Sequence, residues 1–191
     1  MDTRILVPII IGVAVLIVIV AVLVIRKRKS DQLKQRFGPE YDRLVRQHGG
    51  PTRAEAVLAE REKRVEKFAI RPLPPGERER YAGEWAGVQR RFVDDPALAV
   101  TEADTLVTNV MAARGYPMGD FEQRAADISV NYPAVVQNYR AARVIVVRHA
   151  KGQSTTEDLR QAMVYFRSLF DELLTTTNPQ KNIGVIHERA S

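Results

Sequence analysis

Two short acidic stretches hold the side chains best suited to chemistry. "RFVDDP" supplies Asp94 and Asp95, and "YPMGDFEQRAAD" supplies Asp120, Glu122 and Asp127. Carboxylates that converge can hold a divalent cation or activate a water, so a hydrolase or metal-dependent enzyme using Asp94, Asp120 or Glu122 is one reading. The spacing argues for another. Di-metal sites in helical bundles use Glu-x-x-His motifs, and the chain has none. Its three histidines, His48, His149 and His187, are far apart and lack the H-E-x-x-H spacing. There is no Gly-rich phosphate loop, no G-x-S-x-G elbow and no cysteine. Helix capping and surface pairing with Arg91, Arg114 and Arg124 account for the acids without chemistry. No catalytic residue, cofactor or metal is therefore assigned, and the balance leans away from an enzyme.

The elements that must position these residues read as all-α. Tyr81, Trp85, Val88 and Phe92 form one apolar stripe at helical spacing. Asp95 with Pro96 starts a second helix, buried through Ala99, Ala103, Leu106, Val107 and Val110 and ended at Gly115. Asp120 and Gln123 read as a capping box for a short third helix. Pro133 opens a fourth, with Val136, Tyr139, Ile145 and Val146 inward and His149 closing its C-terminus. Ser154 and Glu157 read as a second capping box, before Leu159, Met163, Phe166, Phe170 and Leu173. "RVIVVR" is the one β-like run and lacks turn signals. Gly83 and Gly87, at G-x-x-x-G spacing, suggest close approach of a neighbouring helix.

Upstream, the character changes. Residues 5–25 carry no charge and are almost entirely Ile, Val, Leu and Ala. As a helix they span about 30 Å, the hydrocarbon thickness of a bilayer. Pro8 falls in the first turn, where its missing N–H costs little. The alternative is a secretory signal, giving a protein secreted after cleavage. Such a signal has a core of about 7–15 residues and a small-residue cleavage site, and "VLVIRKRK" offers no such exit. An uncleaved anchor fits better. Arg26, Lys27, Arg28, Lys29, Lys34 and Arg36 follow the core while Arg4 alone precedes it, so the positive-inside rule places the N-terminus outside and the rest in the cytoplasm.

The charge is confined as well. The chain is +6 overall, yet residues 26–36 carry six basic residues and one acid, whereas residues 68–191 carry fifteen of each. That argues against nucleic acid as a partner. The basic cluster fits a topology signal, or attachment to anionic lipid. The expected organisation is a short extracytoplasmic N-terminus (1–4), a transmembrane helix (5–25) and a basic, helical stalk (26–70). "RPLPPGER" forms a hinge into a bundle of about four to five helices (71–175), and a flexible tail (176–191) ends the chain.

"RFVDDPALAVTEADTLVTNVMAARGYPMGDFEQRAADISVNYPAVVQNYRAA", with "RFGPEYDR" before it and "TEDLRQAMVYFRSLFDELL" after it, resembles a family of uncharacterised bacterial proteins. Some members are labelled secreted. The resemblance implies an N-terminal anchor and a helical core and carries no activity. The functional expectation is a protein-interaction or scaffolding module at the cell membrane, with the bilayer and another envelope-associated protein as partners. Asp120, Glu122, Gln123 and Arg124 are the expected contact, and Arg26, Lys27, Arg28 and Lys29 the lipid or topology residues.

Overall fold

The computed structural model describes the backbone of residues 3–175 and the side chains of residues 12–175. All its regular elements are helices: α1 (Thr3–Phe37), α2 (Pro39–His48), α3 (Pro51–Val65), α4 (Pro75–Arg91), α5 (Pro96–Ala113), α6 (Phe121–Asn131), α7 (Val136–His149) and α8 (Thr156–Thr175). "RVIVVR" lies within α7. The expected tail, 176–191, lies outside the described residues, as do the side chains that begin the expected span 5–25. Among the described residues no helix is long and apolar enough to cross a membrane.

The chain divides into two compact units, Met1–Glu55 and Ala56–Ser191, well before the bundle start expected at residue 71. In the first unit, α1 runs unbroken to Phe37, and Gly38, at φ 47°, turns the chain into α2. Phe37, Glu40, Tyr41 and Leu44 are buried. Glu40 accepts two hydrogen bonds from the Arg43 guanidinium, at 2.7 and 2.9 Å. Tyr41 hydroxyl donates to Glu55 at 3.1 Å and lies 2.9 Å from Ser30 Oγ. Three helical segments are thereby tied by one phenol.

In the second unit α4 packs on α5, α5 on α8, and α8 on α7, with α6 against α7. The core runs from Val65 to Leu173, with Trp85 stacked on Phe170 at 4.6 Å between ring centroids. Local chemistry sets the helix starts. Asp95 accepts from Leu98 N–H at 3.0 Å and Asp120 from Gln123 N–H at 2.8 Å, as expected for N-caps. The Gln123 side chain does not close a box. It donates to Asp127 instead, at 3.1 Å. The box at α8 is shifted by one residue from Ser154 and Glu157. Thr155 Oγ1 accepts from Asp158 N–H at 3.1 Å, and the Asp158 carboxylate accepts from Thr155 N–H at 2.8 Å. The displaced residues have other partners: Glu157 binds Arg160, and Ser154 Oγ lies 2.8 Å from His149 Nδ1. α7 starts at Val136, after a turn at Pro133–Val135, and ends at His149 as expected.

Two further expectations need correction. Gly83 and Gly87 admit no close neighbour: an added methyl at Gly83 would meet nothing within 4 Å, and at Gly87 only the Arg90 guanidinium at 4.0 Å. "RPLPPGER" is also pinned rather than hinge-like. Ile70 and Leu73 are buried, Arg71 N–H donates to Arg114 carbonyl at 2.9 Å, and the Arg71 side chain donates to Ala113 carbonyl at 3.3 Å.

Candidate functional site

The acidic side chains lie in different settings. Asp94 and Asp95 are exposed on the α4–α5 turn, Asp120 is exposed at the start of α6, and Asp127 is buried midway along it. No group of three or more His, Asp or Glu side chains positioned to hold a metal occurs among the described residues. The expected arginine partners also differ. Arg91 pairs with Glu102. Arg114 is fully buried, donates to the Leu173 carbonyl and lies 5.9 Å from the centre of the Tyr132 ring. Asp127 pairs with an arginine that sequence spacing could not reveal: Arg64 of α3 donates to it at 2.9 and 2.5 Å, and Arg61 donates to Ser129 at 3.2 Å. α3 thus reaches α6 through two arginines.

The segment singled out for contact divides in two. Asp120 and Glu122 face outward, the Glu122 side chain 73% exposed although Arg140 of α7 donates to it at 2.5 Å. Gln123 and Arg124 turn inward. Arg124 donates to Gly119 carbonyl at 2.9 Å and, more weakly, to Tyr139 hydroxyl at 3.5 Å. Asp104 of α5 takes a 3.4 Å contact from Arg143 of α7, whose guanidinium lies 5.5 Å from the centre of the Phe121 ring. Burial raises the Asp104 carboxyl above its ordinary value, opposed by Arg143 and Arg124. Burial likewise raises the Tyr139 phenol, opposed by Arg124. A phenol held this way is a hydrogen-bonding strut and is not poised for proton transfer near neutrality.

Tyr116 follows the same logic. Burial is the main cause of its raised value, while the hydrogen bond from Asn131, at 2.7 Å, opposes it. The folded values of Tyr116 and Tyr139 lie above the unfolded phenol's, about 10. The stability they contribute is therefore complete below that pH and is lost as pH rises toward the folded values. Urea midpoints measured from neutral to strongly alkaline pH should be flat at first and then fall, and Tyr116→Phe should make the alkaline fall shallower.

Two surface features remain. A groove of about 240 Å³ between α4 and α5 has Val88 and Leu106 as its apolar lining and Glu84 and Glu102 at its rim. Both glutamates are paired, with Arg80 and Arg91. The other feature is α1. From Val13 to Ile25 its large apolar side chains are 42–65% exposed, with no bare polar face between them. At Arg26 the helix changes, without interruption, to four consecutive exposed cations. An apolar helix uncovered all round is what water most disfavours and lipid accepts.

Known proteins add nothing to this geometry. No family model, no curated protein and no solved structure matches the chain.

Proposed function

We propose that the chain is a single-pass membrane protein that presents a helical interaction module to the cytoplasm, with its N-terminus outside. The observation that carries this is the bare apolar surface of α1 from Val13 to Ile25, ended by Arg26–Lys29. Burying such surface in lipid contributes roughly 0.8 kcal/mol per CH₂ group. The intact helix satisfies its own backbone groups, as lipid demands. The Lys/Arg imbalance across residues 5–25 gives the orientation.

The module itself offers an edge suited to a protein partner. Met118, Asp120 and Glu122 are exposed at the entry to α6, and Arg140, bonded to Glu122, shares a face of α7 with exposed Val144 and Val147. A mixture of apolar and charged groups is typical of non-obligate interfaces.

Both halves of the reading are testable on the full chain in membranes. The protein should remain with the membrane fraction through alkaline carbonate washing, and deletion of residues 1–25 should release it. Release of the intact chain would refute the anchor. A photo-crosslinker at Met118 or Val144 should give a discrete protein adduct that the same group at exposed Arg167 on α8 does not. Indistinguishable patterns from these positions would refute the contact surface.

A further inference from the structure

The six cations after the apolar run are not equivalent in the folded chain. Lys34 lies 4.0 Å from Asp42 of α2, and the Arg36 guanidinium sits 5.1 Å from the centre of the Phe37 ring within α1, so both are already engaged by the protein. Arg26, Lys27, Arg28 and Lys29 are exposed and make no ion pair or side-chain hydrogen bond among the described residues. Successive residues on an α-helix are separated by about 100°, so four in a row reach every sector around the axis. They form a collar, not a face.

Its height is also informative. Four residues rise about 6 Å, which matches the head-group layer on one side of a bilayer, the difference between a total of about 40–45 Å and a hydrocarbon core of about 30 Å shared between two leaflets. Immediately beyond the collar Ser30 is already partly buried and lies 2.9 Å from Tyr41 Oη. The unpaired charge therefore begins where the apolar surface ends and stops where the protein's own packing begins.

We infer that Arg26–Lys29 bind anionic phospholipid head groups on all sides of α1 and seat the α1–α2 corner against them. This rests on the anchored reading and adds a lipid class as ligand. A topology signal is needed only during insertion. A head-group collar makes a persistent, charge-selective contact in the mature protein.

The test uses the full chain reconstituted in phosphatidylcholine vesicles containing phosphatidylglycerol. Spin-labelled lipids report which head group is motionally restricted around the protein. Phosphatidylglycerol should be enriched over phosphatidylcholine by roughly fivefold for each contacted head group, and salt should weaken the preference. Converting all four residues to glutamine should abolish the enrichment. Neutralising four exposed cations elsewhere, Arg90, Lys151, Arg160 and Arg167, should leave it intact. A wild-type chain that resists carbonate extraction but restricts both lipids equally overturns the collar and leaves the anchor standing. Loss of the chain to carbonate overturns both. A preference that survives the four glutamines, or is indifferent to salt, also overturns the collar; the salt series on the wild type decides the matter if the glutamine variant does not insert.

Discussion

Arg64→Met is expected to lower folding stability by about 3 kcal/mol or more, because it strands a carboxylate in the core. Asp127 is 1% exposed, and Arg64 reaches it from α3 across 63 residues of sequence. Methionine keeps much of the stem and its packing while removing the charge that makes burial of Asp127 tolerable. Among the described residues Gln123 then remains as its side-chain hydrogen-bond donor. The reciprocal change should be milder. Asp127→Asn preserves the shape and an acceptor, and Arg64, with a side chain 36% exposed, can regain water. A cost of about 1–2 kcal/mol is expected there. Urea unfolding of both variants decides the point. Equal costs would mean that the pair acts through contact geometry and not through the charge of the buried partner. Arg64→Met/Asp127→Asn should recover part of the loss, since neither partner is then left as an isolated buried charge.

Gly115→Ala is expected to be comparably damaging for an unrelated reason. Gly115 has φ 94°, a conformation that L-residues rarely adopt. An added Cβ would also lie 2.5 Å from the Ala69 carbonyl oxygen, a backbone atom that cannot rotate aside. Relieving the clash requires the α3–α4 connection to lift from the end of α5. That lift would break the Arg71 N–H to Arg114 carbonyl bond and loosen buried Ile70 and Leu73. A loss of about 3 kcal/mol is expected from strain and displaced packing together. Hydrogen exchange should show the deprotection concentrated at residues 66–73 and at the C-terminal end of α5. Uniform deprotection, or a change in midpoint within error of zero, would contradict this account.

The sequence was informative where the physics is local. The stripes of α4, α5, α7 and α8 were legible because burial repeats with the helical period. Asp95 and Asp120 could be recognised because a cap depends only on the residues beside it. The α8 cap was misplaced by one residue because Ser154, Thr155, Glu157 and Asp158 all have suitable chemistry, and only the backbone course selects Thr155 with Asp158. The proline-rich connection read as a hinge because its anchors, Ala113 and Arg114, are distant in sequence. Arg64 carries no local sign of its partner for the same reason: a long-range ion pair leaves no periodic trace. Gly83 and Gly87 show the converse, a spacing that matched a packing motif with no neighbour supplied by the fold. For the candidate sites, composition located the cationic border of α1. Which of its charges are already engaged depends on the partners that the fold gives Lys34 and Arg36.

The absence of any break in α1 between Val13 and Phe37 has a mechanical consequence. A continuous helix preserves angular phase along its length, and the first backbone joint is Gly38. With Ser30, Tyr41 and Glu55 fastening α2 beyond the collar, rotation of the apolar segment about its own axis must turn this corner by the same angle. The first unit is therefore geared to its apolar segment: torque is transmitted as orientation, where a flexible tether would dissipate it.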